Sequence, residues 1–536
     1  MKGTRLEGDR LVALGLAGLL VLLGSFQMVS GVCGVYHDDA VYVITAKALS
    51  QGQGYRLINL PHSPLQTKYP ILYPASLALI WRFWPSFPDN LLAMQWLNLL
   101  LGAATVGLAY LYMVRCNYFS RGVAAAAALL SITSPSFLYF CSLTLSEIPF
   151  AFIVVLAAWA LDRHIAEPYG SRWSEFSLGF FLALPFLTRS IGVVFAPIGL
   201  AILYLSGRSV RWVFLGAASL MLPWIFWMLV GPRWNDLQVT SYYTNYLSWW
   251  SIFGIPSLLR VVLTNVIYAL YGSASIGLGI FNSQLFFPTS AWLLVVVAGA
   301  IAYLGIIKQL CQGRVLPCFL TGYSLLFLIW PWPPARFLIP ILPFLLAYLL
   351  NWFWNQAPRL AFIARPMILG IIGLVILLGF NITLVHRAVA VSQSMHYPYV
   401  ERMKEPLSWS SYEGIFKWIT AHTRPQDVIA SGLDTMIYLY TNRCTFRPFV
   451  GRPASLFYGD KGPPLGSVEE MIRFIKIYKA RYLVHTPMPL FSEEKPMDEF
   501  VDQVQRKYPG WLKPVYLGED NRFVVFELQP DHEPDV

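Results

Sequence analysis

Repeated apolar runs constrain the fold of this chain more than any other feature of its sequence. Most of these runs are close to the length, about 17–25 residues, that an α-helix needs to cross a bilayer. The predicted spans are residues 11–30, 91–114, 122–140, 147–161, 176–188, 190–206, 212–231, 289–307, 315–331, 336–355 and 366–386. The sequence therefore predicts a polytopic α-helical membrane protein with about 11 transmembrane helices.

The charge content agrees with this class. Only 13% of the residues are charged, where a soluble domain has about 25%. The net charge of +10 would suit a nucleic-acid partner, but the basic residues lie in short loops and not in one patch, so we expect none. The first run is longer than a signal-peptide core and no A-x-A site follows it, which favours a retained transmembrane helix.

The basic residues fall in alternate loops, as the positive-inside rule requires. They are Arg115 and Arg121, Arg163 and Arg172, Arg208 and Arg211, Lys308 and Arg314, and Arg359 and Arg365. With a cytoplasmic N-terminus, this pattern predicts that one extracytoplasmic face carries residues 31–90, 141–147, 188–190, 232–288, 331–336 and everything after 387. It also predicts that residues 256–271 form a re-entrant or interfacial helix. The membrane would be the inner one if the protein is bacterial.

The composition changes near residue 400, where charges become frequent and apolar runs shorten to strand length. FKWITAHTRPQDVIASG and SVEEMIRFIKIYKARYLVHT each predict a helix followed by a strand, and two more strands are expected near 514–517 and 522–527. We therefore predict a transmembrane domain over residues 1–390 and a soluble α/β domain over 400–536. The second domain carries no dinucleotide fingerprint, phosphate loop or nucleophile elbow.

The first external loop, residues 31–90, holds the first dense set of polar groups. Asp38 and Asp39 open a predicted short helix, for which either could be the N-cap. A second, interfacial helix is predicted at LYPASLALIWRFW. Adjacent carboxylates repel one another, and a low dielectric would raise their pKa values. Such a pair suits proton abstraction from a weak nucleophile.

Few other charges lie close to apolar runs on this face, and charges at membrane depth often mark function. Lys68, Arg189 and Arg336 are suited to binding a phosphate, although Lys68 could also be a snorkelling interfacial lysine. Arg189 could instead form a structural ion pair with Glu147, whose own place at a helix start is favourable for an acid. Tyr69 belongs to a proline-containing turn that would line the site with aromatic rings.

The order of these segments resembles the GT-C superfamily of membrane glycosyltransferases. Within it the chain is similar to the bacterial protein-mannosyltransferase-like enzymes and to the aminoarabinose lipid A transferase. The resemblance covers roughly residues 1–390. The motifs that carry it are Asp38-Asp39-Ala40-Val41-Tyr42, Lys68-Tyr69-Pro70-Ile71-Leu72-Tyr73-Pro74, Leu187-Thr188-Arg189 and Arg336-Phe337-Leu338-Ile339-Pro340. By position, Asp38 matches the family's catalytic acid and Lys68 the lysine that meets the lipid phosphate.

The resemblance implies transfer of a sugar, with inversion, from a polyprenyl-phosphate donor to an acceptor on the extracytoplasmic face. Asp38 would be the general base, beside Asp39. The implied donor-phosphate ligands are Lys68, Arg189 and Arg336, and the supporting residues are Tyr42, Tyr69 and Glu147. The acceptor could be a protein, a lipid or a polysaccharide, and the aromatic run 242–250 could stack on sugar rings.

No cofactor is required by the sequence. Thr67 stands where the lipid A enzyme has an acid used for a metal, so no metal site is carried over. Val41 replaces a basic residue of that enzyme, so lipid A is not implied as the acceptor. A divalent metal stays open, with His37 and His62 as candidate ligands beside the acids.

Two other classes of function are compatible with many helices and few membrane charges. A transporter or lipid flippase would be indicated by duplicated halves with interrupted helices, and no duplication is visible. A structural assembly protein would have little need for Lys68 and Arg336 beside the bilayer.

Overall fold

The fold is a bundle of apolar helices followed by a small mixed sheet. A computed structural model describes residues 2–167, 171–231, 255–279, 292–356, 366–399, 408–462, 464–488, 494–518 and 521–534. Within these ranges, eight helices are long and apolar enough to cross a membrane, and one bent pair of helices makes a possible ninth. The eight are Leu6–Gln27, Leu91–Arg115, Glu147–Ala166, Arg211–Val230, Ser257–Ser275, Trp292–Leu310, Ala335–Asn355 and Gly370–Met395. The prediction of a polytopic helical membrane protein is confirmed.

Three of the predicted spans are helices of at most 17 residues, at the lower limit for a crossing. They form the helices Arg172–Thr188, Ser190–Leu205 and Val315–Leu328. A fourth, the span predicted at 122–140, is bent by 70° between Arg121–Thr133 and Pro135–Cys141. Proline in the first turn of the second helix explains the bend, because it cannot donate a backbone hydrogen bond to the turn before it. Each of the eleven predicted spans is mainly helical where the structure describes it, and seven of them are long and apolar enough to cross a membrane.

The helix Ile255–Ser275 covers the segment that we expected to be re-entrant or interfacial. Its length and composition would allow a full crossing. Its first half contacts the C-terminal region, since the Tyr458 hydroxyl donates to Asn265 Oδ1 at 3.0 Å. Directly after it, the Gly277 carbonyl accepts a hydrogen bond at 3.0 Å from Nδ2 of Asn381, which lies in the middle of the helix Pro366–Met395. The re-entrant or interfacial path of this segment stays a prediction.

The first loop contains two short helices, as predicted. The helix Asp38–Ser50 packs on the helix Leu72–Phe83, whose Leu79 and Phe83 are exposed and apolar, as suits a membrane interface. The N-cap is His37, and no side chain caps the helix. The expectation that Asp38 or Asp39 is the N-cap is wrong, because the helix begins at Asp38 itself.

The C-terminal region is built on a five-stranded sheet in the order β2-β1-β3-β5-β4. The strands are β1 Ile429–Ser431, β2 Thr445–Phe446, β3 Tyr482–His485, β4 Leu512–Leu517 and β5 Val524–Leu528. β1 pairs in parallel with β2 and β3, and β5 pairs antiparallel with β3 and β4. The helices of this region are Trp409–His422, Asp434–Thr441, Pro453–Phe457, Val468–Ile477 and Glu494–Lys507. Both predicted helix–strand units are present, whereas Asp434–Thr441, β2 and Glu494–Lys507 were not predicted.

This region packs directly on the first loop. The Thr445 backbone N–H donates to the Asn59 carbonyl at 2.8 Å. The Tyr440 hydroxyl donates to the Gly31 carbonyl at 2.6 Å, and the Cys33 N–H donates to that hydroxyl at 2.9 Å. A Cβ added to Gly34 would lie 2.6 Å from the Met436 side chain, so only glycine permits this approach. The loop and the C-terminal region therefore share one face of the bundle.

Candidate functional site

Charged residues from four separate segments meet at the face that carries the first loop. Arg336 lies at their centre. Its Nη1 donates to Asp38 Oδ2 at 2.9 Å, and its Nε donates to Glu147 Oε1 at 2.8 Å. Asp38 starts the first helix of the loop, Glu147 starts the helix Glu147–Ala166, and Arg336 lies in the first turn of Ala335–Leu338. The predicted grouping of these residues on one face is confirmed.

Glu147 is fully buried and is shared by two guanidinium groups. Its Oε1 lies 2.8 Å from Arg189 Nη1 and 2.7 Å from Arg336 Nη2. The ion pair that the sequence suggested between Arg189 and Glu147 is present. Arg189 also donates to Ser146 Oγ at 2.9 Å, and Ser146 is 2.8 Å from the Tyr42 hydroxyl. Glu147 therefore holds both arginines at the edge of the site.

Asp38 is the carboxylate that remains partly accessible, with 22% of its side chain exposed. The Tyr69 hydroxyl donates to its Oδ1 at 2.5 Å, and Arg336 holds its Oδ2. Burial alone would raise the pKa of Asp38, but Arg336 and, less strongly, His37 and Tyr69 outweigh that effect and hold the pKa below its ordinary value. The expectation of a raised pKa is wrong for Asp38, which is a carboxylate at neutral pH.

Asp39 lies in a different environment from its neighbour. It is 1% exposed, and its two oxygens accept hydrogen bonds from the backbone N–H groups of Gly34 at 2.8 Å and Tyr36 at 3.1 Å. Burial raises the pKa of Asp39, as expected from the sequence. These contacts fix the turn that leads into the helix. A catalytic role for Asp39 stays a prediction.

Lys68 is buried behind Asp38 on the Gln66–Tyr69 turn. The Gln66 side chain accepts the Lys68 backbone N–H at 2.8 Å, and the ammonium lies 5.4 Å from the centre of the Tyr69 ring. Burial lowers the pKa of Lys68 to about 8, with Asp38 acting against this shift and Arg447 adding to it. Tyr42 packs edge-on against Tyr69, with the ring centres 5.4 Å apart. The predicted aromatic lining is present.

Two residues of the C-terminal region reach this site and were missed by sequence reasoning. Asp434 is fully buried, and its Oδ1 lies 3.3 Å from Arg447 Nε and 3.3 Å from His37 Nε2. Arg447 is 2% exposed. One signal pointed to it, namely an arginine between the apolar residues of the run TFRPF. Asp434 carried none, since an acid at a helix start is ordinary.

His37 has an unusual backbone conformation for a residue with a side chain. Its φ is 60° and its ψ is −54°. A conformation of this kind costs about 1–3 kcal/mol and persists only where the surroundings impose it. The His37 ring lies between two carboxylates, with Nε2 facing Asp434 and Nδ1 4.0 Å from Asp38 Oδ1. Strain at the residue before Asp38 indicates that the surrounding contacts fix the position of Asp38.

The described residues contain no group of three or more His, Cys, Asp or Glu side chains able to hold a metal ion. His37 contacts Asp434 and lies near Asp38, whereas His62 lies in a turn with φ 63°. The aromatic run 242–250, which we expected to stack on sugars, lies outside the described residues.

No protein-family model matches the chain, and no curated protein matches its sequence. Solved structures do match its fold. The oligosaccharyltransferase of Archaeoglobus fulgidus in complex with Zn and sulfate aligns with a TM-score of 0.57 and 14% identity, over 97% of this chain and 74% of that one. AglB of the same organism, in complex with an inhibitory peptide and a dolichol-phosphate, aligns with a TM-score of 0.54 and 13% identity, over 98% and 75%.

ArnT from Cupriavidus metallidurans bound to undecaprenyl phosphate aligns with a TM-score of 0.50 and 12% identity. The alignment covers 98% of this chain and 99% of that one. The likeness therefore extends over the helical bundle and the C-terminal region together.

Proposed function

Because this chain has the fold of the GT-C superfamily of membrane glycosyltransferases, we propose that it transfers a sugar from a polyprenyl-phosphate-linked donor to an acceptor. Two of the similar structures hold a polyprenyl phosphate, one dolichol-phosphate and the other undecaprenyl phosphate. A donor of this class has its tail in the membrane and its phosphate at the interface. Glu147 begins the apolar helix Glu147–Ala166 and Arg336 lies at the start of Ala335–Asn355, so we expect the charged site at that level.

One observation carries the proposal: a partly exposed carboxylate and three cations lie in one cluster. Arg336 pairs with both Asp38 and Glu147, Arg189 pairs with Glu147, and Lys68 interacts electrostatically with Asp38. The exposed fractions of the Arg336 and Asp38 side chains are 29% and 22%. Cations at an accessible edge attract a phosphate, and the carboxylate beside them is accessible as well.

In the proposed reaction Asp38 takes the proton of the acceptor while the acceptor attacks the anomeric carbon of the donor in line. The bond from that carbon to the phosphate oxygen breaks, the anomeric configuration inverts, and the lipid phosphate leaves. Lys68, Arg336 and Arg189 stabilise the charge that develops on the leaving phosphate. Tyr42, Tyr69 and Glu147 hold these groups, and Asp39 fixes the turn beside the base.

The ion pair between Asp38 and Arg336 gives the donor a role in activating the base. A carboxylate held by a guanidinium is a weak proton acceptor, because its pKa is low. A donor phosphate competes for Arg336. When Arg336 turns toward the phosphate, Asp38 loses its strongest stabilising partner and its basicity rises. Proton abstraction thus follows donor binding, which protects the site from acting without a donor.

We place the reaction on the extracytoplasmic face, with the N-terminus in the cytoplasm, because the basic residues alternate between loops as the positive-inside rule requires. Residues 1–390 form the catalytic membrane domain in this proposal, and residues 400–536 form the extracytoplasmic one. In this proposal cations of the chain serve the phosphate, so the sequence requires no metal, and a divalent metal stays open. Protein, lipid and polysaccharide remain open as acceptors.

The test is transfer by the purified full-length protein in lipid nanodiscs, offered radiolabelled polyprenyl-phosphate sugars and a membrane extract as the source of acceptor. We expect turnover by the wild type and a loss of about 10²–10⁴-fold in Asp38→Asn, the usual contribution of a general base. Asp9→Asn, in an ion pair with Arg121, is the control and keeps wild-type turnover. Equal turnover in Asp38→Asn contradicts the mechanism, and no turnover of any donor by the wild type contradicts the function.

A further inference from the structure

We propose that Asp434, in the C-terminal region, is a positioning residue for the transfer reaction and that it acts through His37 to hold Asp38 in place. This inference rests on the proposed function, because it assigns Asp38 to catalysis. It gives the C-terminal region a part in the site beyond covering it.

Asp434 joins the C-terminal region to the first loop through contacts with two residues of that loop. Its Oδ1 faces His37 Nε2 at 3.3 Å, and its Oδ2 accepts a hydrogen bond from Asn59 Nδ2 at 3.4 Å. Arg447 Nε lies 3.3 Å from the same carboxylate. Two residues of the loop and one of its own domain therefore share this carboxylate, which is fully buried.

A buried charge network of this kind is a poor means of stabilising an interface. The cost of removing Asp434 and Arg447 from water offsets much of their attraction, and apolar replacements of buried ion pairs are often neutral or stabilising. The apolar and backbone contacts already join the two regions, as between Gly34 and Met436. The charges add orientation to these contacts, because they fix where the His37 ring lies.

His37 passes this constraint to Asp38. Its ring lies between Asp434 and Asp38, and its backbone is in a conformation that must be imposed from outside. Lys68 acts on Asp38 electrostatically, and the other groups that donate hydrogen bonds to Asp38 are Arg336 and Tyr69. These two hold the oxygens of Asp38, whereas His37 sets where its helix begins. Loss of the Asp434 charge releases the ring and lets the start of that helix shift.

A kinetic double-mutant cycle tests the coupling. We expect Asp434→Asn and His37→Gln each to lower kcat by about 10- to 100-fold, as a small misplacement of a catalytic group does, with the donor KM within about twofold of wild type. The double variant should be no slower than the slower single variant, because both changes remove one contact. Multiplied effects, or wild-type kcat in either single variant, would overturn the proposal. His37→Gln leaves the Asp434–Arg447 pair intact and serves if Asp434→Asn fails to fold.

Asp427→Asn is the matched control. Asp427 is also a buried acid of the C-terminal region, and its ion pairs with Arg424 and Arg481 lie within that region. We expect it to keep wild-type kcat, even where it lowers the melting temperature. An equal loss of kcat in Asp427→Asn would mean that any damage to the domain has this effect, which would overturn the specific role of Asp434.

Hydrogen exchange of the full-length protein gives a measurement that needs no turnover. Asp434→Asn should speed the exchange of backbone amides in residues 34–42, whereas Asp427→Asn should leave them unchanged. Unaltered exchange in Asp434→Asn would overturn the proposal. If the wild type transfers no sugar but the exchange changes as expected, the proposed function fails while the link from Asp434 to the Asp38 segment stands.

Discussion

The two ends of the helical bundle hold their charges in different ways. At the far end, near the start of the first helix, each acid has its own partners: Asp9 pairs with Arg121 at 2.6 Å, and Asp162 accepts the Tyr112 and Tyr118 hydroxyls. At the end that carries the site, partners are shared. Arg336 binds both Asp38 and Glu147, and Glu147 binds both Arg336 and Arg189.

This difference separates ion pairs that only join helices from ion pairs that a ligand can replace. A carboxylate whose partners are its own joins two helices and gains nothing from a ligand. A guanidinium shared between two carboxylates can give up one of them when a phosphate arrives, at the cost of only part of its contacts. The shared arrangement is therefore suited to the replacement of a carboxylate by a phosphate. Matched substitutions at the two ends, compared in stability and in activity, test this difference.

The largest effect is expected at Glu147. Glu147→Gln leaves two partly buried guanidinium groups without the fully buried carboxylate that they share, and removing one partner of a buried ion pair costs about 3–5 kcal/mol. Denaturant titration in mixed micelles would measure this loss in the free energy of unfolding. Asp9→Asn, whose partner Arg121 is half exposed, should lose much less. Equal losses at the two ends would contradict the comparison.

The next effect concerns Arg336. Arg336→Lys keeps the charge but not the planar fork that reaches Asp38 and Glu147 together. We expect kcat/KM for transfer to fall by about 10²–10³-fold, the usual loss for one group that stabilises developing negative charge. The matched change Arg121→Lys should stay within about twofold of wild type in the same assay. Wild-type kcat/KM in Arg336→Lys would remove Arg336 from the phosphate site.

The pH dependence follows from Lys68, whose pKa burial lowers to about 8. Below this pH the ammonium is charged and can bind the donor phosphate, and as the pH rises through it the charge is lost. We expect kcat/KM to fall about tenfold per pH unit above that point. Lys68→Arg stays charged and should abolish the basic limb. If the pH profile of kcat/KM keeps its basic limb in Lys68→Arg, that limb belongs to another group.

No acidic limb is expected in the ordinary aspartate range, because the pKa of Asp38 is lowered and the base stays deprotonated there. An acidic limb near the usual aspartate value would show that Arg336 does not hold Asp38 in the free enzyme.

The smallest effect is expected at Tyr42. Tyr42→Phe removes the hydrogen bond to Ser146 at the edge of the site, and Tyr112→Phe removes a short hydrogen bond to Asp162 and a long one to Tyr118 at the far end. Each should cost about 0.5–1.5 kcal/mol in unfolding free energy. Only Tyr42→Phe should also lower kcat, by a few-fold, since Ser146 contacts Arg189. A kcat effect of equal size in Tyr112→Phe would mean that the assay reports stability alone.

Sequence reasoning found the residues of the site where charge is scarce. Asp38, Lys68, Glu147, Arg189 and Arg336 stand out because each interrupts or borders an apolar run, and alternation of basic loops put them on one face. The same reasoning could not see the ion pair between Asp38 and Arg336, 298 residues apart, and so gave the pKa of Asp38 the wrong direction.

The C-terminal contribution was hidden for the opposite reason. Charges are frequent after residue 400, so Asp434 and Arg447 were two among many. Their importance depends on burial against the first loop, which neither periodicity nor composition encodes. The positions of the helices were more predictable than their shapes, because apolar length identifies helices that lie in a bilayer but does not show that one is bent before Pro135.

The contact between Asn59 and Asp434 joins residues 375 positions apart, which bears on how the protein is made. At about 5–20 residues per second, a ribosome needs roughly 20–75 s to add that length of chain. The first loop therefore emerges while the polar face that contacts the C-terminal region is still uncovered. The partners in the C-terminal region arrive only after that interval, so a chain truncated before residue 434 would carry every charged residue of the membrane site and still lack the contact with His37. Completion of the site is therefore tied to synthesis of the C-terminal region.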